Sequence, residues 1–238
     1  MSTFVLVHGA WSGAHGFRHL RRGLQAAGHE VFTPSLTGLG ERVHLLSPQV
    51  NLGTHVRDVV NQVLYEDLRD IVLVGFSYGG FVVTGTLAHI AERVRHLVYL
   101  DAFVPQDGQS VYSHLGAPAQ RAITIGEDWV TQPAPRAFDD AAEGEWVTLR
   151  RTPHPRACFT EPVYLPKPLE DYAFSRSYIK ATVVAEGEPG AEAFWRAARH
   201  AQSLPDQWRY VEIAGNHMLA SNRPAETVAA LRAIAEHG

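Results

Sequence analysis

Residues Ile71-Val72-Leu73-Val74-Gly75-Phe76-Ser77-Tyr78-Gly79-Gly80 run from an unbroken apolar stretch straight into a Gly-x-Ser-x-Gly pattern. A short apolar run bounded by a turn signal reads as a strand buried on both faces. Phe81-Val82-Val83-Thr84, just beyond, is compatible with a helix. A serine at a sharp strand-to-helix turn has its hydroxyl lifted off the backbone and aimed over the sheet edge. Ser77 is therefore a nucleophile candidate. The bare pattern is common, and the strand before it and the helix after it give it weight.

Outward from that stretch, apolar runs alternate with helix-period segments, the pattern of an α/β fold with helices on both faces of a mostly parallel six-stranded sheet. The expected strands are Thr3–Val7, Glu30–Pro34, Ile71–Val74, His96–Asp101, Ser177–Thr182 and Trp208–Ala214. The expected helices are Phe17–Ala27, Thr54–Tyr65, Tyr78–Ile90, Ala191–Gln202 and Ala225–Ala235. One segment breaks the alternation. Residues 106–170 are rich in Pro, Gly and aromatics with little periodicity, which marks a lid inserted between a core of 1–105 and 171–238.

The chain has 238 residues, 45% hydrophobic content and a formal charge of −4. That is enough for one substantial core. The acidic balance and the lack of a basic run argue against nucleic-acid or membrane-surface partners. Arg21-Arg22 and Arg150-Arg151 read as isolated, solvated surface pairs. Cys158 is the only cysteine, so no intrachain disulfide or thiolate cage is expected. With no signal peptide or membrane span read at the N-terminus, a reducing cytoplasm is the expected location.

A serine hydroxyl needs a base within reach, itself oriented by a carboxylate. His217, in the Ala214-Gly215-Asn216-His217-Met218 loop after the last strand, is the base candidate. Its bland alternative is a capping or surface-loop histidine. Two places offer the carboxylate. Asp101 ends the apolar Leu97-Val98-Tyr99-Leu100 run, where an unpaired charge would be costly, and Glu186 and Glu188 follow the fifth strand. Asp101 as a simple loop cap is a further possibility. The backbone amides of Ala10 and Tyr78 are expected to bind the oxyanion, the latter at a helix N-terminus. His8 reads as a structural residue holding the first loop.

Trp11, Phe76 and Trp129 are candidate pocket walls. Trp129, Phe138, Trp146 and Phe159 fit the lid's own core equally well. His15 and His19 have metal-pair spacing but no third ligand, so neither metal nor cofactor is expected.

Phe4-Val5-Leu6-Val7-His8-Gly9-Ala10-Trp11, Ala26-Ala27-Gly28-His29, Gly75–Gly80 and Gly215-Asn216-His217-Met218 together resemble the α/β-hydrolase superfamily. The likeness is to its branch of plant methyl esterases, hydroxynitrile lyases and bacterial carboxylesterases, including pyrethroid hydrolases. It implies Ser77 as nucleophile, His217 as base, and Ala10 and Tyr78 as the oxyanion hole. Methyl-esterase relatives carry an aspartate after the fifth strand and a small residue where Asp101 stands. This chain has the reverse, a placement other α/β-hydrolases use. Lyases of the branch carry a threonine in the oxyanion loop and a lysine after the histidine, where this chain has Gly9 and Met218.

The expectation is thus a serine carboxylesterase acting on small to medium apolar esters, with oligomeric state open. The same triad could instead open lactones, cleave C–C bonds or perform a lyase or cyclase step. A ligand-binding pseudoenzyme is the expectation from a different class.

Overall fold

In a computed structural model the described residues are 1–116, 128–185, 188 and 190–237. Strands β1 (Thr3–Val7), β2 (Glu30–Phe32), β3 (Ile71–Phe76) and β4 (Val94–Leu100) come first in the chain. They interleave with helices α1 (Arg18–Ala26), α2 (Leu52–Tyr65) and α3 (Gly79–Ile90). The insertion then contributes α4 (Val111–His114), β5 (Val130–Thr131), α5 (Ala141–Thr148), β6 (His154–Pro155) and α6 (Ala157–Thr160). The core resumes with β7 (Ser175–Ala181), α7 (Ala191–Ser203), β8 (Trp208–Ile213), α8 (Leu219–Asn222) and α9 (Pro224–His237).

The main sheet has six strands in the order β2-β1-β3-β4-β7-β8. Every neighbouring pair is parallel, so the sheet is wholly rather than mostly parallel. Period-2 alternation divides the core between its two faces. Val5, Val7, Leu73, Leu97, Tyr99 and Tyr178 pack beneath α2, α3 and α7. Phe4, Leu6, Val72, Val74, Val98 and Ile179 pack beneath α1 and α9. Covering both faces is what allows these strands to be apolar on both sides.

The starts of two strands differ from the sequence reading. β4 starts at Val94, and the pairing skips Arg95 between Ile71↔Val94 and Val72↔His96, a bulge that periodicity does not show. β7 starts at Ser175 and includes Arg176, whose guanidinium is buried on the Tyr172 and Phe174 carbonyls. Within the insertion, β5 and β6 form a two-stranded antiparallel ribbon. Asp140 caps α5 by accepting from the Ala142 amide at 2.8 Å.

Candidate active site

The turn after β3 is tight enough to force Ser77 to φ 55°, a left-handed conformation that a serine adopts only under constraint. Glycine makes that constraint possible. A Cβ on Gly79 would lie 2.4 Å from the Val7 carbonyl oxygen, and one on Gly75 would lie 2.8 Å from the Gly79 carbonyl oxygen. The Ser77 amide donates to the Leu100 carbonyl at 3.4 Å. Its carbonyl accepts from the Gly80 and Phe103 amides at 3.1 and 3.2 Å. A trans peptide points its C=O and the following N–H in opposite directions. Fixing the Ser77 carbonyl therefore also fixes the Tyr78 N–H.

The loop after β1 uses the same device. His8 Nδ1 donates to the Gly9 carbonyl at 2.8 Å, and its Nε2 accepts from the Leu36 amide at 3.0 Å. The pinned Gly9 carbonyl sets the direction of the Ala10 N–H. Among the described residues, neither the Ala10 nor the Tyr78 amide donates a hydrogen bond. Burial keeps His8 neutral, with its pKa lowered to about 4, so it holds the loop rather than carrying protons.

Asp101 follows β4 with φ 41°, and its amide donates to the Ile179 carbonyl of β7 at 2.7 Å. Its Oδ2 accepts from His217 Nδ1 at 2.7 Å. Its Oδ1 accepts from Lys180 Nζ at 2.6 Å and from the Ala181 amide at 3.2 Å. Asp101, Lys180 and His217 side chains are each only 2% exposed. Burial opposes ionisation of Asp101. The His217 hydrogen bond, with the charges of His217 and Lys180, outweighs it and holds the carboxyl below its usual range. For His217, burial lowers the pKa below 6.5, against the raising pull of Asp101. With Nδ1–H given to Asp101, the lone pair of Nε2 is left free.

Of the other carboxylates, Glu188 does not reach His217. Its Oε1 pairs with Arg136 at 3.4 Å and its Oε2 accepts from the Ala185 amide at 3.2 Å. Glu186 lies outside the described residues.

Ser77 and His217 face one small cavity with Gly9, Ala10, Phe76 and Met218. Phe76 also stacks on His217 with ring centres 4.7 Å apart, so it both walls the cavity and supports the imidazole. Trp11 and Trp129 are not among the residues that line it. Trp11 Nε1 is tied to the Thr131 carbonyl at 2.8 Å, and the ring packs edge-on against Phe159 at 5.9 Å. The Trp129 carbonyl accepts from the Arg156 amide at 2.8 Å, within the insertion. Trp11 packs against the main core cluster, to which Phe159 belongs.

Residues that the sequence reading did not place at the site complete it. Arg136, Val147 and Arg151 reach the cavity from the 106–170 segment. Arg151, expected on the surface beside Arg150, is instead half-buried there.

His55, His154 and Cys158 bring ligand-type atoms within 4.8 Å of one another in the core. The Trp11 amide donates to His154 Nδ1 at 3.3 Å, which leaves the proton on Nε2 and no lone pair there. His55 is engaged by the Thr37 carbonyl at 2.9 Å and the Tyr78 hydroxyl at 3.0 Å. Cys158 Sγ lies 3.7 Å from His55 Nδ1, whereas His154 Nε2 is buried with no hydrogen-bond partner among the described residues.

Comparison with known proteins gives the same fold. The family model described as "Alpha/beta hydrolase family" matches residues 4–231. A carbendazim hydrolyzing esterase from Nocardioides sp. (strain SG-4G) is 41% identical over 179 residues, covering 69% of this chain and 74% of that protein. An alpha-hydroxynitrile lyase from Arabidopsis thaliana is 32% identical over 118 residues, covering 47% of this chain and 43% of that protein. The crystal structure of the methylesterase MES16 from Arabidopsis superposes with a TM-score of 0.76 at 23% identity, over 99% of this chain and 100% of that one. The match across residues 4–231 and the 41% identical esterase establish that the chain belongs to the alpha/beta hydrolase family.

Proposed function

We propose that the protein is a serine carboxylesterase working through an acyl-enzyme on small to medium esters. The observation that carries this reading is the shared cavity of Ser77 and His217, with His217 Nδ1 held by Asp101 at 2.7 Å. Ser77 Oγ attacks the ester carbonyl as His217 Nε2 takes its proton. The imidazolium then protonates the departing alkoxide, and water repeats the cycle on the acyl-enzyme. Asp101 holds the tautomer that makes His217 a base. The fixed Ala10 and Tyr78 N–H groups receive the oxyanion, which is stabilised most by donors aimed in advance.

The 41% identical relative is named an esterase, which supports ester-bond chemistry here. Gly9 and Met218 stand where lyases of the resembling branch carry threonine and lysine, which favours hydrolysis over cyanide elimination. Phe76, Val147 and Met218 give the cavity apolar walls. Arg136, Val147 and Arg151 lie over Ser77 from the 106–170 segment, which supports a lid role for it. No described helix is long and apolar enough to cross a membrane. The single free thiol of Cys158 fits a cytoplasmic setting.

The test is turnover of 4-nitrophenyl acetate through octanoate by the wild type and Ser77→Ala. Ser77-dependent turnover is expected, with a chain-length optimum that sizes the acyl side. Equal rates in the two proteins would overturn the reading.

A further inference from the structure

Among the described residues, charge around the cavity does not balance. Lys180 is paired with Asp101, and Arg136 with Glu188, the latter pair with side chains 8% and 6% exposed. His217 is held in its neutral form by burial. Arg151 lines the same cavity, and among the described residues no carboxylate pairs with it. Its Nη1 donates to the Ala134 carbonyl, and its guanidinium carbon stands 5.8 Å from the centre of the Trp11 ring. Trp11 is itself fixed by its bond to Thr131, so it buttresses the guanidinium from one side. A partly buried cation with one neutral acceptor and one aromatic face retains unused donors.

We propose that Arg151 is a substrate-binding residue, and that the site takes esters carrying a carboxylate group near the scissile bond. This rests on the esterase reading given above. A guanidinium presents a planar fork of donors that matches a carboxylate, and the match strengthens away from water. Its charge is not needed by the reacting oxygen, for which the Ala10 and Tyr78 amides are oriented. It is therefore available to another part of the substrate. The same charge repels cationic esters and so selects against them. Arg136, already neutralised by Glu188, adds a hydrogen-bonding wall without adding net charge.

The test compares two pairs of esters. One pair is 4-nitrophenyl hemiglutarate against 4-nitrophenyl pentanoate, with the charge on the acyl side. The other is 4-acetoxybenzoate against 4-methylphenyl acetate, with the charge on the alcohol side. Arg151→Leu is expected to lower kcat/KM for the anionic member of at least one pair about tenfold more than for its neutral counterpart. A ratio that changes less than about twofold in both pairs would overturn the proposal, leaving Arg151 as a structural tie to Ala134.

Two measurements on the wild type cover a variant that fails to fold. Salt raised from about 20 mM to about 500 mM should increase KM for the anionic ester and leave the neutral one level. Glutarate or benzoate should also bind the wild type in calorimetry, more weakly at high salt. If no ester of either kind is turned over, the esterase reading fails. Arg151 is then judged by calorimetry alone: salt-sensitive binding supports the anion site, and no binding of either acid overturns it.

Discussion

Lys180 Nζ and His217 Nδ1 hold opposite oxygens of the Asp101 carboxylate, at 2.6 and 2.7 Å. One oxygen is thus given to a buried ammonium and the other to the imidazole. The Lys180 charge, with the His217 hydrogen bond, helps hold the Asp101 pKa below its usual range in an apolar strand end, and it dilutes the negative charge that His217 feels. In the proposed mechanism Lys180 is a positioning residue, acting on Ser77 through Asp101 and His217.

Replacing Lys180 by Met should therefore strengthen the pull of Asp101 on the imidazole proton. The acid limb of the kcat/KM profile is expected to move to higher pH, toward the ordinary histidine range. Breaking a buried pair also costs stability, here about 3 kcal/mol, because His217 and the Ala181 amide still hold the carboxylate. A pH–rate profile and a denaturant melt read the two effects separately. An unmoved acid limb would show that Lys180 is only structural.

Asp101→Asn should lower kcat by about 10³–10⁴ with the fold intact. The neighbours fix the direction of the new amide. Lys180 and the Ala181 N–H both donate at the Oδ1 position, so the amide oxygen must sit there. The NH₂ group then faces His217 Nδ1 and forces the proton onto Nε2, the wrong tautomer for a base. Circular dichroism with steady-state kinetics checks this; near wild-type kcat would return the search for the acid to Glu186.

The pH dependence has a defined sign. The proposed mechanism needs neutral His217, whose pKa is lowered below 6.5 by burial. kcat/KM should therefore rise with pH through an inflection below 6.5 and stay level above it. Stability follows the same direction. His8 and His55 are buried with pKa values of about 4, so the unfolded chain takes up protons that the folded one refuses. Their contribution is complete above 6.5 and is lost as the pH falls toward 4. Tm should fall across that window, and a level Tm there would contradict the burial argument.

His8→Leu should slow kcat by about 10–10² while changing KM little, because it releases the Gly9 carbonyl and with it the direction of the Ala10 N–H. The split between kcat and KM is the readout. A pure KM effect would mean that the loop shapes binding rather than the transition state.

Much of this architecture is legible in the sequence, for identifiable reasons. The sheet shows because buried parallel strands need unbroken apolar runs, and the elbow shows because only glycine permits its close contacts. Asp101 shows because a carboxylate at the end of an apolar strand demands a partner. Lys180 gave the complementary signal, a lysine inside the apolar Tyr178-Ile179-Lys180-Ala181 run, whose buried charge requires a carboxylate on the adjacent strand. Arg136 and Arg151 had no such marker. They come from an aperiodic segment whose path is set by long-range ties, such as Trp11 to Thr131 and the Thr152 amide to the Trp11 carbonyl. The same ties fix Trp11 against the core cluster, which its aromatic character alone did not reveal.

The central claim is that Ser77 becomes acylated during turnover. Mixing the wild type with a 4-nitrophenyl ester, quenching in acid within milliseconds and weighing the intact chain tests it directly. A nitrophenol burst approaching one per chain is expected, with an acyl adduct that peptide mapping places on Ser77. Turnover with an adduct on another residue, or with rapid quenching that captures no adduct and no burst, would contradict it.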